Sequence, residues 1–499
     1  MDKKHSFFDK NGGEWLIFRL KYKEKNLFPV FWRKKPSAFD RSPLTFHYLC
    51  SAERKMFFMS IAILCLILCC YVLICFEHVT HVNKATIALF AGVVSWILLM
   101  IMGSVDHVNA FTTHGADMCG IALFLLATTH IALLLDVNNC FDFIPSIIRT
   151  RNSTHILWGM VLFTFLLSTN IDNLTATVLM LMIMHKVVDE GRWRMWVGAA
   201  IVIAANCGGA CSVIGDVTSL TIWCKGAITP TDFSMALVPS AVVATVVPTF
   251  FISLALPERL EVVRPTFLYR GDMYRHPLWQ RIVLLVVGLG GLWFIPSFTR
   301  ITQLPPYLGA LSVLGVLWVS HELFNLHQIR TDQPMEVSGL RRLSNAGVQT
   351  IMYFVGIYMA VTALIETGTM ASLSEWCDEW IHNIYVMSLA MGAISAFLDN
   401  IALVLTGANI YPVLQDATAT LSGMDPEYLQ AFLKDGGYWH LIIYSGCIGG
   451  CLLPIGNVAG YALMKSEDVD ISWYAKHIMP KVLVGWGLGL VVYFMLATP

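Results

Sequence analysis

The sequence of 499 residues has few charged side chains, and this scarcity excludes an ordinary soluble domain. Charged residues make up 13% of the chain, against about 25% in typical soluble proteins, whereas hydrophobic residues make up 56%. The formal net charge is −1, so the composition indicates neither an acidic partner nor nucleic acid. We therefore predict an all-α polytopic membrane protein that contacts membrane lipid.

The sequence also lacks cysteine pairs of the CxxC type and an apolar run close to its start. Its 13 cysteines lie scattered in apolar runs, for example Cys65, Cys207 and Cys447, and we interpret them as small apolar residues rather than disulfide partners or zinc ligands. The first apolar run begins near Met56, too late for a cleaved secretory signal. Residues 1–55 are predicted to form a polar N-terminal extension.

Long apolar runs dominate the rest of the chain, and a helix needs about 20 such residues to cross the hydrocarbon core. We predict spans at residues 56–76, 85–103, 117–137, 195–224, 233–256, 279–298, 305–324, 348–366, 440–464 and 474–497. Two further stretches, 154–187 and 382–414, are interrupted near the middle by polar clusters. Each half is too short to cross, so we predict two re-entrant hairpins.

Lysine and arginine in short loops mark the cytoplasmic side of a membrane protein. Basic residues flank both ends of hairpin 154–187, which is predicted to enter from the cytoplasm, whereas acidic residues flank hairpin 382–414, which is predicted to enter from outside. A basic cytoplasmic linker, 257–281, then separates a first half, 56–256, from a second half, 282–499. The basic N-terminal extension would lie outside, so either a further crossing precedes residue 150 or long extensions escape the rule.

The two halves share three motifs in the same order. STNIDN at 168–173 matches SAFLDN at 395–400, GGACSVIGD at 208–216 matches GGCLLPIGN at 449–457, and Phe124 with Asp136 matches Phe354 with Glu366. The hairpins are predicted to open toward opposite sides. The halves are therefore predicted to be inverted repeats, as in many secondary transporters.

Polar residues at membrane depth indicate a ligand site. A break in a helix there leaves backbone groups unpaired unless protein or a water-filled cavity satisfies them. The glycines of the GG…IG motifs permit close backbone approach and positive φ in broken helices at 195–224 and 440–464. Oxygen-rich hairpin tips suit a hard cation such as Na⁺, or a proton. The predicted ligands are Ser168, Thr169, Asp172, Asn173, Thr175, Ser395, Asp399 and Asn400.

The segments STNIDNLTATVLM, NCGGACSVIGDVTSLTIW, SAFLDNIALVLTGANI and IGGCLLPIGNVAGYALM resemble the NhaD-type sodium/proton antiporters of the ion transporter superfamily, from about Lys84 to the C-terminus. The resemblance implies a scaffold domain, a transport domain and electrogenic exchange of Na⁺ or Li⁺ for H⁺ in pH homeostasis, without a cofactor. It assigns Na⁺ and the proton to Asp172, Asn173, Asp399 and Asn400, with Ser168, Thr175, Asn206, Ser395 and Ser445 as neighbours. The bacterial inner membrane and a homodimer are further expectations.

Each candidate also has a purely structural explanation. Asp172 and Asp399 could act only as N-caps, and Asp216, opposite Asn457, could be a cap or a ligand. Asn206 and Ser445 could simply bond carbonyls that the breaks set free. Asp136 and Glu366 lie at span ends, where water could solvate them. His130 could be an interior residue or a pH sensor. The chain departs from the family pattern here, since His130 and Asp136 flank Leu133, near which the family carries a glutamate.

Three functions are consistent with these features. In the first, Na⁺ and H⁺ compete for Asp172 and Asp399, and the loaded protein alternates its access between the two sides. The second is an anion carrier of the same fold, but an aspartate in both tips would repel the anion. The third is an intramembrane aspartyl protease, whose GxGD-like motif is incomplete at Ile214-Gly215-Asp216. We favour the antiporter and predict no enzyme activity.

Overall fold

The computed structural model describes residues 43–80, 82–101, 105–148, 150, 152–189, 191–260, 277–325, 338–414 and 426–497. Residues 1–58 and 59–499 form two separate units, and the described part of the first, 43–58, is helical. The predicted polar extension 1–55 and the predicted linker 257–281 lie mostly outside the described residues.

Helices account for nearly all of the described part of the first half. They are α1 (Pro43–Cys75), α2 (Glu77–Thr80), α3 (Lys84–Ile101), α4 (Val105–Val137), α5 (Ile144–Ile147), α6 (Ser153–Ser168), α7 (Asn173–Val187), α8 (Gly191–Ala210), α9 (Val217–Cys224) and α10 (Pro230–Ser253). The first predicted span therefore belongs to a helix that begins at Pro43, well before Met56. Three long helices, α1, α3 and α4, precede α6.

The second half has the same character. It contains α11 (Leu278–Leu285), a π-helical turn (Val286–Gly290), α12 (Gly291–Thr302), α13 (Pro306–Asn325), α14 (Ser338–Glu366), α15 (Thr369–Trp380), α16 (Ile384–Ser395), α17 (Asn400–Ile410), α18 (Pro426–Gln430), α19 (Gly437–Gly449), α20 (Val458–Glu467), α21 (Ile471–His477) and α22 (Met479–Ala497).

Eight of the described helices are long and apolar enough to cross a membrane. They cover Phe58–Cys75, Lys84–Ile101, His107–Val137, Pro230–Ser253, Leu278–Thr302, Pro306–Phe324, Gly347–Glu366 and Met479–Leu496. Large apolar side chains such as Phe90, Ile101 and Trp293 are exposed on them, as expected for contact with lipid. The prediction of an all-α polytopic membrane protein is confirmed.

Several helix boundaries differ from the predicted spans, and two of the differences are large in the structure. The span predicted at 117–137 belongs to a helix that begins at Val105, and His114 in its added turns lies 3.2 Å from Glu366. The span predicted at 474–497 is divided between α21 and α22. Pro480 accounts for the division, since proline lacks the amide that would continue α21 and fits the first turn of a new helix.

The other two predicted spans are broken helices, and the two interrupted stretches are pairs of short helices. Residues 211–216 separate α8 from α9, and residues 450–457 separate α19 from α20. Residues 169–172 join α6 to α7, and residues 396–399 join α16 to α17. We call α6 with α7 the first hairpin and α16 with α17 the second hairpin. In each hairpin the connection ends at the predicted aspartate, which caps the next helix.

Glycines let each hairpin approach the broken helix beside it. A Cβ atom on Gly208 would lie 2.4 Å from the carbonyl oxygen of Phe165, and one on Gly449 would lie 2.4 Å from the carbonyl oxygen of Gly392. Both distances are shorter than any ordinary contact of a Cβ atom. Only glycine therefore fits at these two positions without a shift of the backbone.

The end of each break repeats this arrangement. A Cβ atom on Gly215 would lie 2.4 Å from the Ser168 carbonyl oxygen, and one on Gly456 would lie 2.4 Å from the Ser395 carbonyl oxygen. The hairpin residues differ by 395 − 168 = 227 positions and the break residues by 456 − 215 = 241, the offsets of the sequence motifs. The internal repeat thus has the same contacts in both halves.

The predicted positive φ at these glycines is wrong. Among the described glycines, positive φ occurs at Gly226 and Gly368, which follow or precede helices on the chain. The glycines of the breaks are required by the close approach of another backbone, not by a left-handed conformation.

Long helices of the two halves pack beside the hairpins. α3 lies against α14, where a Cβ atom on Gly92 would lie 2.5 Å from the carbonyl oxygen of Gly356. The indole of Trp96 donates a hydrogen bond to the carbonyl oxygen of Met359 at 3.0 Å. α13 packs against α4 in the matching way. These contacts fix Lys84, the first residue of α3, next to the second hairpin.

Candidate functional site

Residues from both hairpins meet at one buried carboxylate, that of Asp216. Its side chain is 2% exposed and caps α9, where Oδ1 accepts a hydrogen bond from the backbone amide of Thr218 at 3.3 Å. Oδ2 accepts the side-chain amides of Asn173 and Asn400, each at 3.3 Å. Asp216 is therefore both a cap and the point where the two hairpins converge.

The thiol of Cys447 and the amide of Asn206 complete this cluster. Cys447 donates to Asp216 Oδ2 at 3.1 Å and lies 3.2 Å from the hydroxyl of Thr218. Asn206 Oδ1 accepts the amide of Asn173 at 3.0 Å. Cys447 and Asn206 are equivalent in the repeat, since 447 − 206 = 241. We call Asn173, Asn206, Asp216, Asn400 and Cys447 the Asp216 cluster.

Asp172 immediately precedes Asn173 and has one carboxylate oxygen to spare. Its Oδ2 accepts the backbone amide of Thr175 at 3.1 Å, so the residue does cap α7. Its Oδ1 is buried and has no hydrogen-bond partner among the described residues. A buried acceptor without a partner is costly, and it is an expected feature of a site that receives a cation or a proton.

Asp399, the equivalent residue in the second hairpin, is satisfied at both oxygens. Its Oδ1 accepts the backbone amide of Ile401 at 3.1 Å and so caps α17. Its Oδ2 forms an ion pair with the ammonium group of Lys84. That ammonium lies 4.6 Å from the centre of the Tyr353 ring, a favourable position for a cation. The two aspartates therefore have the same backbone role and different charge environments.

The serines of the hairpin motifs fasten the tips to the broken helices. Ser168 donates to the carbonyl oxygen of Ala205 at 2.6 Å, and Ser395 donates to that of Gly446 at 2.5 Å. A hydroxyl that donates in this way can still accept, so both oxygens remain usable as ligands. Their contacts in this structure are to the backbone beside the Asp216 cluster.

Several predicted residues have their hydrogen bonds elsewhere. Thr169 donates to a carbonyl oxygen of its own helix, and Asn457 caps α20. Ser445 lies 2.6 Å from the hydroxyl of Ser388 and accepts the indole of Trp486 at 3.3 Å. The structure does not bring these three candidate residues into the Asp216 cluster.

The secondary candidates on the long helices also lie apart from the cluster. Glu366, at the end of α14, contacts His114 at 3.2 Å, and His130 lies 2.8 Å from a carbonyl oxygen of its own helix. Asp136 is partly buried near the end of α4. Both acids occupy the span ends at which the sequence places them.

Three residues at the site were not predicted from sequence: Lys84, Thr218 and Cys447. The repeat offset of 241 could have identified Cys447, because it matches Asn206. Lys84 gave no such signal, since it lies 315 residues from Asp399 in the chain. Within the described part of the chain, no group of three or more His, Cys, Asp or Glu could hold a metal ion. The oxygen atoms that could ligate a cation belong to separate carboxylates, side-chain amides and the backbone. Such oxygens suit a weakly held hard cation.

The chain is similar to known transporters over most of its length. The CitMHS family, described as a citrate transporter, matches residues 71–433. Sodium/proton antiporter 2 of Arabidopsis thaliana is 30% identical over 429 residues, which cover 85% of this chain and 96% of that protein. Sodium/proton antiporter 1 of the same plant is 30% identical over 85% of this chain and 70% of its own length. The Na(+)/H(+) antiporter NhaD of Alkalimonas amylolytica is 28% identical over 85% of this chain and 88% of its own.

Proposed function

Because the chain belongs to the NhaD-type sodium/proton antiporters of the ion transporter superfamily, we propose that it exchanges Na⁺ for H⁺ across a membrane. Li⁺ is the alternative cargo. The relatives are named as transporters and not as enzymes. The all-α architecture, with eight helices in the described residues long and apolar enough to span a membrane, supports a transporter as well.

The observation that carries the proposal is the buried oxygen of Asp172 that has no partner among the described residues. It lies in the residue directly before Asn173, a member of the Asp216 cluster. Asn173 itself donates to Asp216. A cation at Asp172 would satisfy that oxygen, and nearby amide oxygens could complete its shell. We assign Na⁺ to Asp172, Asn173, Asp399 and Asn400, and the two asparagines donate to Asp216.

Competition for these carboxylates is enough to produce exchange. Either Na⁺ or H⁺ neutralises a tip aspartate, and the neutral site can move past the rest of the protein. An empty first tip is held back because the charge of Asp172 is then buried without a cation partner. The two hairpins would give access from opposite sides, and the ion and the proton would use the same groups in turn.

The family description favours citrate as a second candidate cargo. The charges at the site do not suit a polyanion. Asp172, Asp216 and Asp399 contribute three carboxylates, whereas Lys84 already forms an ion pair with one of them. Carboxylates in a poorly solvated site repel an anion strongly. We therefore place the antiporter first and keep citrate as a control in the test.

The test is proton movement in proteoliposomes that contain the purified protein and a pH-sensitive dye. We expect Na⁺ added outside to drive protons across the membrane, and citrate added at the same ionic strength to have no such effect. A response to citrate alone, with none to Na⁺, would reverse the order of the two candidates.

Three finer predictions remain. The division into a scaffold and a transport domain, the homodimer and the bacterial inner membrane stay predictions, and the relatives include plant proteins as well as bacterial ones. Chemical crosslinking of the protein in native membranes would test the dimer. Fractionation of the host's membranes would test the location.

A further inference from the structure

Lys84 and Asp399 form an ion pair in which both side chains are shielded from water. The side chain of Lys84 is 12% exposed and that of Asp399 is 2% exposed. Lys84 begins α3, which packs along α14, whereas Asp399 belongs to the second hairpin. The pair therefore connects a long spanning helix with a hairpin tip that the proposed function assigns to the transported ion.

Among the described residues, no lysine or arginine is paired with the aspartate of the first hairpin. Its aspartate, Asp172, keeps a buried oxygen without a partner among the described residues. α13 packs against α4 as α3 packs against α14, and its sequence contains neither lysine nor arginine. The ammonium group thus breaks the symmetry of the repeat at the position where the two halves would otherwise hold the same charge.

A second acid lies close to the same lysine. A small cavity of about 20 Å³ is lined by Glu77, Lys84, Asp399, Cys75, Phe397 and Tyr461, among others. This is little more than the space of one water molecule. Partial burial raises the pKa of the Glu77 carboxyl, and the charge of Lys84 acts in the opposite direction. Glu77 is therefore within electrostatic reach of the ammonium group.

We propose that Lys84 is the resident cation of the second hairpin, and that Na⁺ engages Asp399 only when the ammonium group moves from Asp399 to Glu77. This inference rests on the proposed Na⁺/H⁺ exchange and adds a competitor to it. Lys84 stays charged throughout, so the step exchanges one cation for another at Asp399 and transfers no proton. In both positions of the ammonium group Asp399 is paired with a cation, either Lys84 or Na⁺, and Lys84 is paired with a carboxylate.

The surroundings of the Lys84 ammonium group favour a position beside Asp399 or beside Glu77 over a position with no carboxylate partner. The ring of Tyr353 lies 4.6 Å from it, and the cavity offers no room for full hydration. A buried charge without a partner is strongly unfavourable, so the ammonium must remain beside one of the two carboxylates. A flexible lysine side chain is suited to such a movement, because it carries a compact charge on four rotatable methylenes.

The test compares the KM for Na⁺ at one fixed pH in proteoliposomes. In Lys84→Met the competitor is gone, so we expect the KM to fall by about tenfold or more, with slower turnover because Na⁺ leaves reluctantly. In Glu77→Gln the second position is lost, so we expect the KM to rise several-fold. Lys84→Arg keeps the charge and should stay near the unaltered protein. Lys186→Met, which removes an exposed lysine on α7, is the matched control and should leave the KM unchanged.

The two central variants must shift the KM in opposite directions. Glu77→Gln leaves the Lys84–Asp399 pair intact, so this variant decides the matter even if Lys84→Met does not fold. An unchanged KM in Glu77→Gln would overturn the proposal, and so would a folded Lys84→Met with an unchanged or higher KM. Failure of the proposed function is a different result, because the unaltered protein would then show no Na⁺-driven proton movement.

Discussion

Asn173 and Asn400 lie 400 − 173 = 227 residues apart in the chain, and both donate to the same oxygen of Asp216 at 3.3 Å. Each follows directly on the aspartate that caps the second helix of its hairpin. The two residues of the repeated Asp–Asn motif therefore have different roles. The aspartate caps the second helix of its hairpin, and the asparagine donates a hydrogen bond to Asp216, which accepts one from each half.

The first prediction concerns that shared carboxylate. Asp216→Asn removes the charge and replaces one carboxylate oxygen by an NH₂ group. That group would face the NH₂ groups of Asn173 and Asn400, which need an acceptor. A hydrogen bond to a charged group is worth about 1.5–3 kcal/mol, so we expect the affinity for Na⁺ to fall by about 10- to 100-fold. Asp232→Asn, an exposed acid in the first turn of α10, is the control. Binding of radioactive Na⁺ to purified protein measures both. Equal loss in the two variants, or in neither, would contradict the role of Asp216.

The second prediction concerns the aspartate with the free oxygen. Asp172→Asn keeps an oxygen for the amide of Thr175 and removes the titratable charge. We expect Na⁺-driven proton movement to collapse while the protein still purifies as a folded species. Near-normal exchange would show that Asp172 serves only as a cap. Asp399→Asn should also impair exchange, and it should in addition remove the buried Lys84–Asp399 ion pair, so its thermal stability should fall further than that of Asp172→Asn.

The third prediction concerns pH. If Na⁺ and H⁺ compete for the same carboxylates, the KM for Na⁺ should fall as pH rises, by up to about tenfold per pH unit for each proton displaced, until the sites hold no proton. The maximal rate should change less over that range. Kinetics in proteoliposomes at several pH values provide the measurement. A KM that is independent of pH, with a pH-dependent maximal rate, would place the proton at a separate regulatory group such as His130.

The fourth prediction concerns the glycine contacts. Gly208→Ala would place a Cβ atom 2.4 Å from the carbonyl oxygen of Phe165, so the first hairpin would have to shift. Overpacking of this kind costs about 1–3 kcal/mol, and we expect a lower Tm in detergent together with reduced exchange. Gly315→Ala is the control, because a Cβ atom there meets nothing within 4 Å. Gly449→Ala, the equivalent of Gly208→Ala, should behave like it. A normal Tm in both break variants would contradict the packing described.

The fifth prediction concerns the opposite orientation of the hairpins. Thr154→Cys and Glu379→Cys place thiols at exposed positions beside the open ends of the first and second hairpins. We expect an impermeant thiol reagent to reach the first from the cytoplasm and the second from outside. The background would keep Cys447 and replace Cys50 and the four exposed cysteines, Cys65, Cys69, Cys119 and Cys224. Labelling of both thiols from one side would rule out the inverted arrangement.

Much of the fold could be predicted because each structural feature corresponds to a local pattern in the sequence. Spanning helices show as apolar runs, and the repeat shows as pairs of motifs whose glycines have no substitute where another backbone approaches. The start of α4 was harder to predict, since its turns are polar and His114 contacts Glu366, which is distant in the chain. Pro480 is a signal for a helix start. The residues on both sides of it are apolar, however, so the sequence predicts one continuous span there.

Only those site residues that are polar could be predicted from the sequence. Asp172, Asn173 and Asn400 stand out in apolar surroundings, whereas a cysteine such as Cys447 counts as apolar and its bond to a carboxylate appears only in the fold. Successive helix residues point about 100° apart, so Ser445 and Cys447 face different neighbours although they are close in sequence. Which one meets the cluster depends on the rotation of α19, and sequence alone does not fix that rotation.

The close approach at Gly208 and Gly449 also bears on how the protein can move. A hairpin whose backbone lies in direct contact with a broken helix has no clearance in which to slide or rotate against it. Dense packing of this kind transmits displacement rather than absorbing it. In the proposed exchange we therefore expect each hairpin and the broken helix beside it to move as one rigid unit, with any hinge or shear outside these pairs.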